Sequence, residues 1–180
     1  GKVAVVTAAS AGLGKAVATA FADEGANVVM CSRSQERIEA AAADVRDRGV
    51  DVLALEADVT KPEDIERLFS AAVERFGGVD VLVTNAGGPP AGTFDRFDDD
   101  DWQRAFELTL MSAVRLIRRA IPEMRARGGG SIVVMTSSSI KQPIPNLLLS
   151  NVMRAGVAAL AKTLADELSG DNIRVNTLVP

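Results

Sequence analysis

Short apolar runs alternate with amphipathic stretches along the whole chain. The apolar runs are typical of strands that helices cover on both faces. They span Lys2–Thr7, Ala26–Cys31, Asp51–Ala57, Val79–Thr84, Ser131–Thr136 and Asn172–Leu178. The stretches between them predict helices over Gly12–Glu24, Gln35–Arg48, Pro62–Phe76, Asp98–Arg127 and Leu147–Ser169. Because strand and helix alternate, we predict an α/β fold with a doubly wound parallel sheet.

Composition and charge narrow the range of functions. A chain of 180 residues with 47% hydrophobic and 24% charged residues is typical of one domain, which we expect to span residues 1–180. The net charge of −4 argues against nucleic acid as a partner. No apolar run is long enough to cross a membrane. The single cysteine and a chain that begins directly at a strand lead us to expect a cytoplasmic protein without a signal peptide.

Two residue types are missing altogether, and their absence limits the chemistry. The sequence has no histidine and no tyrosine. Without histidine there is no imidazole for acid–base catalysis or for a Ser-His-Asp triad. There is also no imidazole to bind a metal, and we expect no metal site. Without tyrosine, no phenol is present to donate a proton to a substrate.

A glycine-containing turn joins the first strand to the first helix. Residues 8–14 read Ala-Ala-Ser-Ala-Gly-Leu-Gly, and glycines here let the backbone approach a pyrophosphate closely. The free amides and the dipole of the following helix favour phosphate charge. A P-loop is the rival interpretation, but Ala16 stands where its Mg²⁺-binding hydroxyl belongs. We therefore predict a Rossmann-type dinucleotide site, with a pyrophosphate bound by Ser10, Gly12, Leu13 and Gly14.

The end of the second strand indicates which dinucleotide is preferred. Folds of this kind often place an acid here to accept hydrogen bonds from the adenosine ribose. Ser32 and Arg33 stand there instead, and an arginine pairs with a 2′-phosphate that a carboxylate repels. We therefore predict NADP(H) in preference to NAD(H). The alternative interpretation is a solvated arginine at the start of a helix.

Several short motifs resemble those of one enzyme family, in the same order along the chain. Thr7–Gly14 is similar to a Thr-Gly-x-x-x-Gly-x-Gly turn, with Ala8 in place of the first glycine, and Asn172–Pro180 is similar to a sixth strand and the turn after it. Over Lys2–Pro180 the chain thus resembles the short-chain dehydrogenase/reductase family, most closely its 3-oxoacyl-acyl-carrier-protein reductase-like members. The resemblance implies cofactor contacts from Thr7, Asp58, Val59, Asn85, Ala86, Gly87 and Arg154.

The resemblance also implies a catalytic group of Asn, Ser, Tyr and Lys, of which this sequence keeps one member. Ser137, after the fifth strand, matches the serine. Ser150 stands at the tyrosine position, Arg154 at the lysine position and Thr109 at the asparagine position. A serine hydroxyl is a far weaker acid than a phenol whose pKa a neighbouring cation lowers. Arg154 keeps the positive charge and can hydrogen-bond a ribose, but an arginine does not relay protons.

A lysine beyond the fifth strand is a candidate replacement for the missing acid. Lys141 follows Ser137 at the carboxyl edge of the predicted sheet, where folds of this class bind their ligands. A lysine with a lowered pKa can donate a proton in catalysis. Pro143 and Pro145 instead favour a rigid surface turn in which this lysine is solvated.

Three hypotheses for the function remain open. The first is an NADP(H)-dependent oxidoreductase that acts on a carbonyl or alcohol of a small molecule through a non-standard active site. The second is a catalytically inactive dinucleotide-binding protein with a sensing or scaffolding role. In the third, the methyl group of Ala8 crowds the turn and cofactor binding is lost. The fold does not choose between them, and the sequence does not identify a substrate.

The resemblance also bears on the end of the chain and on its assembly. In the family, a substrate loop and a seventh strand follow the position of Pro180, so we expect this chain to lack its C-terminal strand. Family members form dimers or tetramers through two long helices, here Asp98–Arg127 and Leu147–Ser169, and we expect a homodimer or homotetramer. An apolar series on the first of these helices suits either that contact or the core. It consists of Leu108, Met111, Val114, Ile117 and Ile121.

Overall fold

Six short strands form the centre of the fold. The computed structural model describes residues 1–180. The strands are β1 (Val3–Val6), β2 (Asn27–Ser32), β3 (Val52–Glu56), β4 (Val81–Thr84), β5 (Gly130–Met135) and β6 (Ile173–Leu178). Each lies on a predicted apolar run, and its ends differ from the predicted ones by at most two residues. All four residues of β1 are buried, as expected of a strand covered on both faces.

The strand order creates a crevice at one edge of the sheet. All neighbouring strands are parallel, in the order β3-β2-β1-β4-β5-β6. The chain builds β2 and β3 on one side of β1 and then returns to build β4, β5 and β6 on the other. The connections that follow β1 and β4 therefore leave in opposite directions, which opens a crevice beyond the carboxyl ends of the strands. The predicted doubly wound α/β fold of Rossmann type is confirmed.

Helices cover both faces of the sheet. They are α1 (Gly12–Asp23), α2 (Gln35–Arg46), α3 (Pro62–Phe76), α4 (Asp99–Ala105), α5 (Ser112–Ala126) and α6 (Leu148–Glu167). The larger apolar core lies beneath α3, α5 and α6 and includes Phe69 and Leu116. The smaller core lies beneath α1 and α2 and includes Met30 and Ile38. None of these helices is long and apolar enough to cross a membrane.

The predicted helix over Asp98–Arg127 is interrupted by a change of helical register. A π-helical segment, Phe106–Met111, joins α4 to α5 without a break. Such segments widen one turn of a helix and often occur at functional sites. The acidic residues before it serve the helix start, since the side chains of Asp98 and Asp101 each accept a hydrogen bond from the other's amide. The apolar spacing of the sequence does not distinguish a π turn from an α turn, so the segment was not predicted.

The apolar series on this long helix is divided between two roles. Ile117 lies in the larger core and Ile121 packs against it. Leu108, Met111 and Val114 are only partly buried. The C-terminal part of the series is therefore core, and the contact of the N-terminal part with another subunit stays a prediction.

A buried carboxylate ties the start of β1 to the end of α5. Asp80 is 3% exposed and accepts hydrogen bonds from Lys2 Nζ at 2.8 Å and from the Val3 amide at 2.9 Å. Arg127 Nη2 lies 3.0 Å from its Oδ2. Burial disfavours the charged form, but these donors outweigh it and hold the pKa of Asp80 below its ordinary value. The amino edge of the sheet, opposite the crevice, is fixed in this way.

Replacing Asp80 by Asn should lower the free energy of unfolding by about 2 kcal/mol at neutral pH, because charged donors lose a charged acceptor. A carboxylate whose folded-state pKa is lowered stabilises the fold above its unfolded-state pKa. That contribution disappears as the pH falls through the folded-state pKa. Urea unfolding of both proteins at neutral and acid pH checks this, with the exposed and unpaired Glu74→Gln as the control. A deficit of the same size at both pH values would contradict the assignment.

Candidate functional site

A hydrogen-bonded tie joins β1 to β4 at the base of the crevice. Thr7 is fully buried. Its Oγ1 donates to the Asn85 carbonyl at 2.6 Å and accepts from the Asn85 amide at 2.9 Å. The Asn85 side-chain amide donates to the Ala8 carbonyl at 3.4 Å. The Thr7 hydroxyl and the Asn85 main chain thus hold the two strand ends together beneath the crevice.

The turn after β1 follows the backbone path of a glycine turn although alanine stands at its first position. Ala8 has a φ of +48°, in the left-handed region that costs a residue with a Cβ about 1–2 kcal/mol. Gly12 has a φ of +55° and open space on the side where a Cβ would lie. At Gly14 a Cβ would lie 2.4 Å from the Ala8 carbonyl oxygen. The turn therefore packs tightly against the helix at Gly14 and is open toward the crevice at Gly12.

The first turn of α1 has no side-chain cap. Its N-cap residue, Ala11, makes no side-chain hydrogen bond, whereas α2 and α4 are capped by Ser34 and Asp98. The first amides of a helix need partners, and together with the helix dipole they favour an anion. Gly12 and Leu13 are exposed at this end of α1. The helix therefore offers unpartnered donors beside the crevice.

A cleft of about 630 Å³ occupies the crevice. The predicted cofactor residues that line it are Ser10, Ser32, Arg33, Asp58, Val59, Ala86 and Gly87. Further lining residues, which the sequence did not single out as cofactor contacts, are Ala8, Ser34, Arg37, Ala57, Gly88 and Leu108. The other predicted cofactor residues, Thr7, Gly12, Leu13, Gly14, Asn85 and Arg154, lie outside the lining. The structure thus brings residues from the connections after β1, β2, β3 and β4, together with Leu108 of the π-helical segment, into one cavity.

Two arginines of this cleft have no acidic partner. Arg33 and Arg37 are both exposed, and neither side chain forms an ion pair or a hydrogen bond with the protein. The Arg37 amide donates to the N-cap oxygen of Ser34 at 3.3 Å, which places Arg37 in the first turn of α2. Arg33 lies just before this helix, so the sequence signal by which Arg37 could have been found is a second arginine in the first turn of the predicted helix.

Arg154 is a partly buried cation held at the end of β5. Its Nε donates to Ser150 Oγ at 3.1 Å. Its Nη1 donates to the Thr136 carbonyl at 3.1 Å and to the Met135 carbonyl at 3.4 Å. Burial lowers the pKa of the guanidinium, but an arginine stays protonated in proteins. Arg154 therefore keeps its positive charge although no carboxylate pairs with it. It lies beside Thr136, the residue before Ser137.

Two further candidate catalytic residues, Ser137 and Lys141, follow β5 and have different surroundings. Ser137 Oγ accepts from the Ser139 amide at 3.2 Å, so its own proton is free for another acceptor. The 3₁₀ turn Ser138–Ile140 packs against α6, the helix that carries Ser150. Lys141 is exposed and lines neither the cleft nor the cavity beside Arg154. The structure leaves this lysine at the surface, in line with the solvated alternative.

Thr109 lies in the π-helical segment and faces Arg154 across a small cavity. Thr109 is 6% exposed, and its Oγ1 has no hydrogen-bond partner in the protein. The cavity, of about 10 Å³, is also lined by Asn85, Ser112 and Arg154. This volume is close to the smallest that holds one water molecule. A buried hydroxyl and a cation therefore share a polar space of that size.

Comparison with known proteins decides the family. The profile of a family described as short chain dehydrogenase matches residues 2–180. The chain belongs to the short-chain dehydrogenase family. This short-chain dehydrogenase is 39% identical over 180 residues to dehydrogenase/reductase SDR family member 4 of Bos taurus, a match that covers 99% of the chain and 64% of that relative. It therefore spans less than two thirds of the relative's length.

Solved structures of other short-chain dehydrogenases are closely similar. L-sorbose reductase from Gluconobacter frateurii, in complex with NADPH and L-sorbose, superposes with a TM-score of 0.97 and 42% identity over 100% of this chain and 69% of its own. An NADPH-bound short chain oxidoreductase from Pseudomonas aeruginosa superposes with a TM-score of 0.94 and 31% identity, over 99% of this chain and 70% of its own. The second protein is described as containing an atypical catalytic center.

Gly14→Ala should destabilise this short-chain dehydrogenase, because the new methyl group would overlap the Ala8 carbonyl and displace the turn from the helix. Overpacking of this kind costs about 1–3 kcal/mol. Thermal and urea unfolding measure the loss. Gly170→Ala is the matched control, since a Cβ there meets nothing within 4 Å and its φ is not in the left-handed region. Equal stability of the two variants would mean that the turn yields without cost.

Proposed function

We propose that this short-chain dehydrogenase is an NADP(H)-dependent oxidoreductase that interconverts a carbonyl and an alcohol on a small molecule through Ser137, Ser150 and Arg154. The hydrogen bond from Arg154 Nε to Ser150 Oγ, at 3.1 Å, carries the proposal. Because the serine oxygen accepts from a cation, its own proton is available to a substrate and is more acidic than in a free serine. The pair supplies a hydroxyl donor activated by a fixed positive charge.

The geometry of the cleft supports NADP(H) as the cofactor. The unpartnered amides at the start of α1, with Ser10 and Gly12, suit the pyrophosphate, because no Cβ blocks the approach at Gly12. Asp58 and Val59 line the part of the cleft beside the end of β2, where an adenosine would lie. Ala86 and Gly87 lead from there toward the catalytic residues. When bound, NADPH would supply the hydride, and two NADPH-bound structures of similar proteins support this assignment.

The two unpaired arginines account for a preference for NADP(H). Arg33 and Arg37 line the same cleft as Ser32 and Ser34, at the start of α2. A 2′-phosphate placed here would meet two guanidinium groups, the Ser34 hydroxyl and the positive end of a helix dipole, while Ser32 donates to the Ser34 carbonyl at 3.0 Å. NAD(H) lacks this phosphate and would leave both arginines without a partner. This arrangement favours the phosphate interpretation of Arg33 over the solvated one.

The chain's own residues would act mainly by electrostatic stabilisation. In the reduction, the hydroxyls of Ser137 and Ser150 would hydrogen-bond the carbonyl oxygen of the substrate. The negative charge that reduction places on this oxygen would be stabilised by the two hydroxyls and by the cation of Arg154. Arg154 contributes charge and not a proton, so the proton that completes the alcohol passes from solvent through Ser150.

A second candidate function is dinucleotide binding without turnover, in a sensing or scaffolding role. The observation in its favour is the absence of any tyrosine, since a serine is a weaker acid with a shorter side chain. In that case the cleft binds NADP(H), and the serines beside Arg154 transfer no proton. Cofactor titration does not separate the two candidates, whereas a turnover assay does.

Arg33→Asp should weaken NADPH binding about 10- to 100-fold, the effect of losing a charge-assisted hydrogen bond to phosphate. NADH binding should change little, because NADH lacks the 2′-phosphate. Nicotinamide fluorescence or calorimetry with both cofactors measures this. Arg174→Asp, at an exposed arginine of β6 without an ion pair, makes the same charge change as a control. Equal weakening of NADPH and NADH would remove Arg33 from the phosphate site, and a wild type that binds neither would defeat both candidate functions.

Ser150→Ala should slow the single-turnover oxidation of NADPH by about 100-fold, because the activated hydroxyl is lost. NADPH affinity should be unchanged. The assay uses a panel of ketones that includes L-sorbose and a 3-oxoacyl thioester, the latter chosen from the resemblance to 3-oxoacyl-acyl-carrier-protein reductase-like proteins. Ser70→Ala, at an exposed hydroxyl of α3, is the control. A wild type that binds NADPH but reduces no member of the panel would favour the binding protein.

A further inference from the structure

One arginine outside the cleft connects two of its walls. Arg115 lies on α5, and its Nη1 donates to the Thr60 carbonyl at 3.1 Å and to Glu107 Oε2 at 2.6 Å. Thr60 belongs to the loop after β3, and Glu107 belongs to the π-helical segment. The neighbours of these residues in the sequence, Val59 and Leu108, both line the cleft. A single guanidinium group therefore bridges two elements that form the cavity wall.

The loop on one side of this bridge is rigidly connected to the cleft. Asp58 Oδ1 accepts from the Thr60 amide at 3.0 Å and from Thr60 Oγ1 at 2.8 Å. The Asp58 amide donates to Asp64 Oδ2 at 2.8 Å, which anchors the same loop to α3. Because Thr60 and Asp58 are joined twice, a displacement of the Thr60 carbonyl would also displace Asp58 and Val59.

The π-helical segment on the other side is held from both of its ends. Gln103 Nε2, on α4, donates to Glu107 Oε1 at 3.2 Å, and Arg115, on α5, donates to the second oxygen. Glu107 is thus fixed across the change of helical register that places Leu108 in the cleft. The side chains of Arg115 and Glu107 are only 20% and 31% exposed, so solvent and salt screen their attraction less than that of a surface pair.

We propose that Arg115 is a positioning residue for the adenosine half of the cofactor, an inference that rests on the proposed function. Arg115 does not line the cleft, so it would act by setting the spacing between the loop after β3 and Leu108. Ser150 and Arg154, which the proposed function places at the nicotinamide end, are held by groups of α6 and of the segment at the end of β5 and not by this bridge. Loss of the bridge should therefore weaken binding of one half of the cofactor and spare the other.

A second arginine on the same helix provides a matched control. Arg119 follows Arg115 by one turn and is 22% exposed. It pairs with Glu66 at 3.0 Å and with Glu123 at 2.6 Å, and its guanidinium lies 5.5 Å from the centre of the Phe69 ring. It contacts α3 and its own helix, and none of these partners lines the cleft. Arg119→Met therefore removes a similar structural interaction without disturbing the cavity wall.

The test compares three probes on the full chain carrying Arg115→Met, Arg119→Met or Glu107→Gln. The probes are NADPH, 2′,5′-ADP as its adenosine half and reduced nicotinamide mononucleotide as its nicotinamide half. For Arg115→Met, the Kd of NADPH and of 2′,5′-ADP should rise together about three- to tenfold, with the mononucleotide unchanged. Glu107→Gln should shift the same two probes by less, because the amide keeps a hydrogen bond but loses the charge. Arg119→Met should lower the Tm and leave all three affinities as in the wild type.

Each other outcome has a definite meaning. A wild type that binds none of the probes defeats the proposed function, and this inference with it. A wild type that binds them, with Arg115→Met equal to it on 2′,5′-ADP, overturns only the role of Arg115. Equal weakening of both halves also overturns it, because that result indicates a general structural loss. If Arg115→Met does not fold, Glu107→Gln decides by the same comparison of the two halves.

Discussion

The hydroxyl of Thr7 joins the ends of β1 and β4, the two central strands whose following connections leave the sheet in opposite directions. Beyond the ends of β1 and β4 the ladder stops, and the Asn85 amide and carbonyl lose their strand partners in a partly buried place. A buried backbone group without a partner costs about as much as a lost hydrogen bond. Thr7 supplies both partners from one atom. The turn above it, the cleft and the two loops on either side are all positioned relative to this tie.

The fold follows from the sequence because burial on both faces leaves a strong pattern. Each strand is a continuous apolar run, and alternation with helices leaves few possible topologies. The cofactor contacts at the end of β2 could be predicted for the same reason. Once β2 is assigned as a strand, Ser32 and Arg33 must lie at the carboxyl edge of the sheet, where the cleft is found. The cleft residues that the sequence did not indicate lie beyond the strand ends. Arg37, Ser34 and Leu108 reach the cleft from helices whose rotation about their axes is set by tertiary packing.

The candidate catalytic region was harder to predict, because its geometry depends on conformations that have no periodic signature. The π-helical segment determines where Thr109 and Leu108 point, and the left-handed Ala8 keeps the path of a glycine turn. Neither is visible from residue type, since alanine rarely has a positive φ and a π turn has no composition of its own. The resemblance to a family located Ser150 and Arg154 in the sequence. It did not indicate that the guanidinium would donate to the serine and to two carbonyls at once.

The hydrogen-bond partners of Arg154 determine how the residues beside β5 respond to pH. Main-chain carbonyls do not take up protons in ordinary buffers, whereas a carboxylate partner would bring a second titrating group. The chain has no histidine or tyrosine, and burial raises the pKa of its one thiol, Cys31, to about 12. The arginine and serines beside β5 consequently keep one protonation state from mildly acid to mildly alkaline solution. In the proposed reaction, the pH response would therefore come from the proton consumed and from the substrate, and not from Arg154 or the serines beside β5.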